Sequence, residues 1–166
     1  MIDCADSTIS DILPSVWNEE NRRMGRNNAI PGGFSYDNSP YTREIVDRLA
    51  LDDSAEEIAI MKGAQIGLST GFVEAGIGWI ISENPGNILY LVGHDDLIKE
   101  SMDKVDRMLD STGIRDRGLI HANILRKRNT KSGDTDKRKD FTGGWLRMGV
   151  TNPKSLRNFS AKYARS

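Results

Sequence analysis

Residues 57–70 decide the fold, and they read Glu-Ile-Ala-Ile-Met-Lys-Gly-Ala-Gln-Ile-Gly-Leu-Ser-Thr. An apolar run typical of a β-strand stops at Gly63, and the segment after Gly67 is compatible with a helix. Glycines let backbone amides turn inward, and the N-terminus of a helix attracts an anion, so a strand, a glycine-bearing loop and a helix in this order favour phosphate binding. The segment therefore predicts a loop that cradles a polyphosphate.

The loop departs from the usual pattern G-x-x-x-x-G-K-S/T. Gly67 fits the second glycine and Ser69 fits the hydroxyl on the Mg²⁺ side, but Leu68 occupies the usual lysine position. A lysine stands instead at the start of the loop, at Lys62. Two interpretations remain open: a chance glycine-rich turn, or a loop whose phosphates meet the Lys62 ammonium from the strand end. The second is favoured because Lys62 and Ser69 lie at opposite ends of one loop.

Composition predicts one globular domain of cytoplasmic type. The chain has 166 residues, and its 23 Lys and Arg against 24 Asp and Glu give no overall sign of a nucleic-acid partner. The single cysteine, Cys4, excludes a disulfide framework and a multi-cysteine zinc site. No apolar run approaches a membrane span, and Asp3 and Asp6 interrupt any signal-peptide pattern. We therefore expect no membrane partner.

Positive charge is concentrated between residues 126 and 139, where seven cations accompany two aspartates. A solvated, mobile loop is the favoured structural interpretation of this stretch. Such a loop is also suited to neutralising DNA phosphates, with salt-sensitive and sequence-independent binding. The candidate DNA-binding residues are Arg126, Lys127, Arg128, Lys131, Lys137, Arg138 and Lys139.

Apolar periodicity predicts an alternation of helices and strands. A connector rich in Asn, Gly, Pro and Ser spans residues 27–40. Short joins between strands and helices predict a right-handed parallel α/β unit. We expect helices within residues 10–24, 41–51, 69–82 and 97–109, and strands at Glu57–Met61, Asn87–Val92 and Trp145–Val150.

A set of short motifs carries a family resemblance. In chain order they are Trp17 followed by basic residues, Pro31-Gly32, the segment Pro40-Tyr41-Thr42-Arg43-Glu44-Ile45, the loop Met61-Lys62-Gly63-Ala64-Gln65-Ile66-Gly67, Gly143-Gly144, and Ser155-Leu156-Arg157. With these motifs, residues 10–166 resemble the N-terminal part of the ATPase domain of the phage terminase large subunit, in the lambda-type (GpA) family.

The resemblance implies a three-layer P-loop NTPase fold of the RecA/helicase-like kind, with a mostly parallel sheet. It divides the chain into an N-terminal helical arm with its connector, 1–40, and a partial ATPase domain, 41–166. The implied function is ATP binding in a viral DNA-packaging motor, with hydrolysis coupled to DNA translocation and a separate endonuclease domain in the full-length protein. The implied partners are double-stranded DNA, the small terminase subunit and the portal of the procapsid, in the cytoplasm of the bacterial host.

The resemblance also assigns roles within a nucleotide site for ATP and Mg²⁺. Lys62 offsets phosphate charge, Ser69 holds Mg²⁺, and Gln65 faces the phosphates or senses their loss. Tyr41 matches the residue that packs on the adenine. The residues that match the Walker A loop are Lys62, Gly63, Ala64, Gln65, Ile66, Gly67, Leu68 and Ser69.

One departure from the family concerns the acidic residues. The Walker B strand and the nuclease carboxylates are expected only beyond Ser166, so the resemblance implies a chain truncated before that strand, weak nucleotide binding and poor hydrolysis. The sheet edge left without its neighbour predicts self-association. Two alternatives stay open: a helicase-like ATPase fragment, and a non-catalytic, prophage-derived interaction domain in which the loop is only a packing turn.

Overall fold

The computed structural model describes residues 11–26, 28, 30–50, 57–120, 134–135, 137–151 and 163–165. Only the backbone is described at 134–135 and 163–165. Within these ranges, no helix is long and apolar enough to span a membrane. The first four candidate DNA-binding residues lie outside the described part of the chain: Arg126, Lys127, Arg128 and Lys131.

Helices and strands alternate along the described residues, as the periodicity predicts. The helices are α1 (Pro14–Asn21), α2 (Tyr41–Asp47), α3 (Ala75–Glu83) and α4 (Asp96–Ser111), with a 3₁₀ turn at Tyr36–Asn38 and a π-helical turn at Ser69–Glu74. The strands are β1 (Arg23–Met24), β2 (Gly32–Gly33), β3 (Ile88–Val92), β4 (Asp134–Thr135), β5 (Arg138–Phe141), β6 (Gly144–Val150) and β7 (Tyr163–Arg165).

The main sheet has five strands in the order β4-β5-β6-β3-β7. β3 lies between β6 and β7 and is parallel to both, with Ile88 opposite Leu146 on one side and Tyr163 on the other. β5 pairs antiparallel with β4 and β6. The strands predicted at residues 87–92 and 145–150 are confirmed. The sheet is mixed, however, and the prediction of a mostly parallel sheet is wrong because β4, β5 and β6 form an antiparallel meander.

The end of the basic stretch is a strand rather than a solvated loop. In β5 the side chains of Lys139 and Phe141 are buried, whereas Arg138 is exposed. Lys139 is 3% exposed, and its Nζ lies 3.0 Å from Oδ1 of Asp106 on α4. The aliphatic part of a lysine can cover apolar surface while its ammonium meets a carboxylate, so a charged sequence still forms a strand here. The loop interpretation, which covers residues 126–139, is wrong for Arg138 and Lys139.

The strand predicted at Glu57–Met61 is not formed. Residues 57–63 have no regular secondary structure, Ile58 is 40% exposed, and Met61 is fully exposed. A strand requires a neighbouring backbone to share its hydrogen bonds, and the described sheet, with the order β4-β5-β6-β3-β7, does not include residues 57–61. Apolar composition alone therefore does not make this segment a strand.

The N-terminal arm shares the main hydrophobic core. Trp17 of α1 and Trp79 of α3 are both almost fully buried, in a cluster that also contains Met108 and Leu146. Trp79 Nε1 donates a hydrogen bond to the carbonyl oxygen of Ile12 at 2.7 Å. α1 is also bonded to α2, since the amide and hydroxyl of Ser15 both donate to the Asp47 carboxylate at 2.8 Å. These contacts fix the arm against the helix that follows the candidate loop.

Candidate functional site

The predicted loop lies at the carboxyl edge of the parallel strands. α3 ends at Glu83 and β3 begins at Ile88, so the chain returns along the sheet and the start of the loop helix lies near the end of β3. Ser69 and Gly93, which directly follows β3, line one crevice of about 230 Å³. In open α/β sheets, ligands bind in crevices outside the carboxyl ends of the strands. The loop therefore occupies the expected position for a ligand.

The φ angle of the loop backbone changes sign from residue to residue between Gln65 and Gly67. Gln65 has a φ of 56° and Gly67 a φ of 76°, whereas Ile66 between them has a negative φ. Such alternation directs successive amides to one side and forms an anion-binding concavity. A glutamine in the left-handed region is strained by about 1 kcal/mol or more, and such strain concentrates where loops hold ligands. The helix then begins with a hydrogen bond from the Gly71 amide to the Gly67 oxygen, at 2.8 Å.

Tyr41 is brought to the loop, as the resemblance implies. Its hydroxyl donates a hydrogen bond to the carbonyl oxygen of Ile66 at 2.6 Å, although the two residues are 25 positions apart. The Tyr41 side chain is 51% exposed. A half-exposed aromatic ring anchored by its hydroxyl is suited to stacking on a planar ligand beside the loop. The adenine-side role of Tyr41 stays a prediction.

Lys62 and Ser69 lie on the exposed side of the loop, whereas the Leu68 side chain is buried. Lys62 and Ser69 are exposed, and Nζ of Lys62 donates to the neighbouring Gly63 oxygen at 3.4 Å. Leu68 is only 3% exposed. The usual lysine position therefore belongs to the core in this chain, which leaves Lys62 as the cation of the loop sequence.

The turn after the loop is held by an arginine of the N-terminal arm. Nη1 of Arg22 donates to the Thr70 oxygen at 2.9 Å, and Nη2 pairs with the Glu74 carboxylate. The side chains of Arg22 and Glu74 are 5% and 9% exposed. Buried ions persist only when they are paired and hydrogen-bonded. This ion pair therefore links the arm to the first turn of the helix.

Tyr36 contacts the same turn from the connector. Its buried hydroxyl donates to the Gly71 oxygen at 2.7 Å and accepts from Nδ2 of Asn18 at 3.3 Å. Burial raises the pKa of Tyr36 well above its ordinary value, so the hydroxyl stays a donor at every physiological pH. A Cβ added at Gly71 would lie 2.5 Å from Thr42 Oγ1, so only glycine allows α2 to approach this closely.

Sequence reasoning missed Arg22, Tyr36 and Glu74. One signal was available, because Glu74 is the single charged residue between Lys62 and Glu83. A lone carboxylate in an apolar helix requires a buried partner or a polar ligand. The sequence did not indicate which of its many cations would supply that partner.

The far wall of the crevice is formed by α4. It carries Glu100 and Lys104, whose side chains pair at 2.7 Å, and the apolar Leu97. The Lys104 ammonium holds the pKa of the Glu100 carboxyl below its ordinary value. A neutralised pair on this wall makes the crevice less repulsive to an anion at the loop than an unpaired glutamate would.

Lys137 and Arg138, in the described part of the basic stretch, form ion pairs with aspartates. Nζ of Lys137 lies 3.3 Å from Oδ1 of Asp95, and Nε of Arg138 lies 2.8 Å from Oδ1 of Asp140. The Arg138 guanidinium also lies over the Trp145 ring, at 5.8 Å from its centroid. Of the three described candidates, Lys137 and Arg138 have exposed side chains, and the buried Lys139 does not.

The fold and the loop together define a class: an α/β protein with a mixed sheet and a glycine-bearing loop at the carboxyl edge of its parallel strands. A family model described as phage terminase large subunit gpA, ATPase domain, matches residues 28–165. The chain belongs to this family of terminase ATPase domains, whose role is in DNA packaging. No match was found among curated proteins or among solved structures.

Restoring the usual lysine should damage the protein rather than improve its site. We expect Leu68→Lys to lower the free energy of unfolding by about 3 kcal/mol or more, because it places an ammonium in the core. Leu68→Met is the matched control, with an expected decrease below about 1.5 kcal/mol. Denaturant unfolding followed by tryptophan fluorescence measures both. A Leu68→Lys protein as stable as the wild type would contradict the assignment of Leu68 to the core.

Proposed function

We propose that the loop Lys62–Ser69 binds Mg²⁺-ATP and that the chain is the ATP-binding part of a viral DNA-packaging motor. The observation that carries this proposal is the Tyr41–Ile66 hydrogen bond. This bond joins Tyr41, the residue proposed to pack on the adenine, to the loop. The loop contains two residues with positive φ angles, and a helix begins directly after it at the carboxyl edge of the sheet. Membership of the terminase ATPase family supports the same assignment.

The loop residues fit a nucleotide in chemical terms. Lys62 is an exposed cation that would offset charge on the β- and γ-phosphates, and the amides of residues 63–68 would cradle them. Ser69 is an exposed hydroxyl that would hold Mg²⁺. Tyr41 would pack on the adenine, and Gln65 would face the phosphates.

Bound Mg²⁺ would neutralise charge as the terminal phosphoryl group is transferred. The described residues contribute binding and orientation to that chemistry. In a terminase large subunit that contains this domain, we propose that hydrolysis is coupled to translocation of double-stranded DNA into the procapsid. The small terminase subunit and the portal would be its partners in the host cytoplasm.

The two alternatives differ from this proposal in their consequences. A helicase-like ATPase would share the loop, and the family match favours the terminase assignment over it. A non-catalytic interaction domain would keep the turn for packing alone and would not bind nucleotide. Nucleotide binding is therefore the property that separates the last alternative from the proposal.

Removing the loop ammonium should abolish nucleotide binding. We expect Lys62→Ala to lose saturable binding of a fluorescent ATP analogue in the presence of Mg²⁺, because no other cation of the loop sequence offsets the phosphate charge. Lys99→Ala, an exposed lysine of α4, is the control and should bind as the wild type does. Equal affinities for Lys62→Ala and the wild type would remove Lys62 from the site.

DNA binding is proposed for the basic stretch on the basis of its sequence and of the family. Each phosphate that a lysine or arginine neutralises releases counterions, so the affinity falls with salt. Because Lys139 is buried and paired with Asp106, we now restrict the proposal to the other six cations.

Neutralising the first part of the basic stretch should weaken the salt dependence of DNA binding. The slope of log K against log salt should become shallower by about 0.9 for each DNA phosphate that the variant no longer neutralises. Lys99→Gln with Arg107→Gln on α4 is the control, and its slope should match that of the wild type. Fluorescence anisotropy with duplex DNA of two unrelated sequences measures the slopes, and a slope unchanged in the test variant would refute the proposal. The test variant changes four residues to glutamine: Arg126, Lys127, Arg128 and Lys131.

A further inference from the structure

Two buried polar side chains of the N-terminal arm, Arg22 and Tyr36, contact the turn that follows the loop. We call Arg22, Tyr36 and Glu74 the arm brace. Two of its members reach into the turn Ser69–Glu74: Arg22 donates to the Thr70 oxygen, and Tyr36 donates to the Gly71 oxygen. The proposed nucleotide site assigns no role to any of the three.

The arm brace acts on the stretch of helix that is not α-helical. In an α-helix, the Ala75 amide would donate to the Gly71 oxygen. Here it donates to the Phe72 oxygen, and the Tyr36 hydroxyl takes the Gly71 oxygen instead. Such π-helical turns are rare and occur frequently at functional sites. The hydrogen bonds from the arm therefore reach two carbonyl groups within the π turn, those of Thr70 and Gly71.

The π turn begins at Ser69, the residue proposed to hold Mg²⁺. Its hydrogen-bond pattern differs from that of an α-helix, so the direction of each side chain relative to α3 differs as well. Whatever fixes the π turn therefore also fixes the direction of the Ser69 Cα–Cβ bond, from which the hydroxyl projects. The phosphate end of the loop is fixed separately, because the Tyr41 hydroxyl holds the Ile66 oxygen.

We propose that Arg22 and Tyr36 are positioning residues that set the Ser69 hydroxyl for a divalent cation bound to a nucleoside triphosphate. The inference rests on the proposed function of the loop and extends it to the N-terminal arm. Neither residue touches the ligand in this account. Their effect passes through the carbonyl groups of Thr70 and Gly71, so it concerns the metal side of the site more than the phosphate cradle.

Tyr36→Phe tests the proposal with the smallest change, because the ring stays in place and only the hydroxyl is removed. The measurement is the affinity for a fluorescent ATP analogue, with Mg²⁺ and with EDTA, on the full chain. We expect the gain in affinity given by Mg²⁺ to fall about five- to tenfold, the usual size of the effect when one hydrogen bond is removed. Without Mg²⁺, the affinity should stay within about twofold of the wild type.

Two further variants separate positioning from general loss of stability. Ile114→Val removes one methylene from the core away from the turn and should leave the Mg²⁺ effect intact. Arg22→Lys keeps the charge but lacks the fork that reaches both Thr70 and Glu74, so it should reproduce the Tyr36→Phe defect. Amide hydrogen exchange over residues 70–75 should be faster in Tyr36→Phe and unchanged in Ile114→Val.

The possible outcomes distinguish this inference from the proposed function. If the wild type binds nucleotide, Lys62→Ala does not, and Tyr36→Phe keeps the full Mg²⁺ effect, the positioning role is overturned and the loop assignment stands. Equal weakening with and without Mg²⁺ would also overturn it, since that result indicates a structural role only. A wild type that binds no nucleotide would overturn the proposed function and, with it, the role of Ser69.

Discussion

The buried ion pair between Arg22 and Glu74 is the interaction on which the geometry of the candidate site depends. It joins the N-terminal arm to the helix that follows the loop, and both side chains are almost fully excluded from solvent. Breaking a buried pair by removing one partner costs about 3–5 kcal/mol, because the remaining charge has no compensation. The ion pair therefore holds the arm and the helix in one arrangement, and the contacts with the arm fix the position of the start of the helix.

This arrangement explains why the loop carries its lysine at an unusual place. The helix that follows the loop is fixed by the arm on one side and by the core on the other, and Leu68 faces the core. A lysine at position 68 would place an ammonium group in the core without a carboxylate partner to neutralise it. Lys62, at the exposed start of the loop, is a position at which an ammonium can remain hydrated.

The sequence predicted the elements whose signals are local. β3, β6 and the helices α3 and α4 follow from local sequence patterns, and the structure confirms these elements. The strand predicted at Glu57–Met61 is absent from the structure. A strand also needs a neighbouring strand to pair with, and amino-acid composition does not indicate whether one is available. β5 was missed because its buried Lys139 reads as a solvated charge until Asp106 is seen opposite it.

In the candidate site too, the sequence indicates the features that depend on local motifs but not those that depend on contacts between distant residues. The glycines, Lys62, Ser69 and Tyr41 were identifiable from motifs, and the structure places Tyr41 on the loop. The π turn and its contacts with Arg22 and Tyr36 could not be predicted, because they join residues about 35 to 52 positions apart. Sequence patterns report the periodicity of an element, whereas such contacts depend on how separate elements meet.

The central claim is that the nucleotide lies between Tyr41 and the loop Lys62–Ser69. Photolabelling with 8-azido-ATP and Mg²⁺, followed by peptide mapping, tests it most directly. The account predicts that the label is attached at Tyr41 or its immediate neighbours, that excess ATP prevents labelling, and that Lys62→Ala is not labelled. A label that maps to α4 or to the basic stretch, and that survives in Lys62→Ala, would contradict the account.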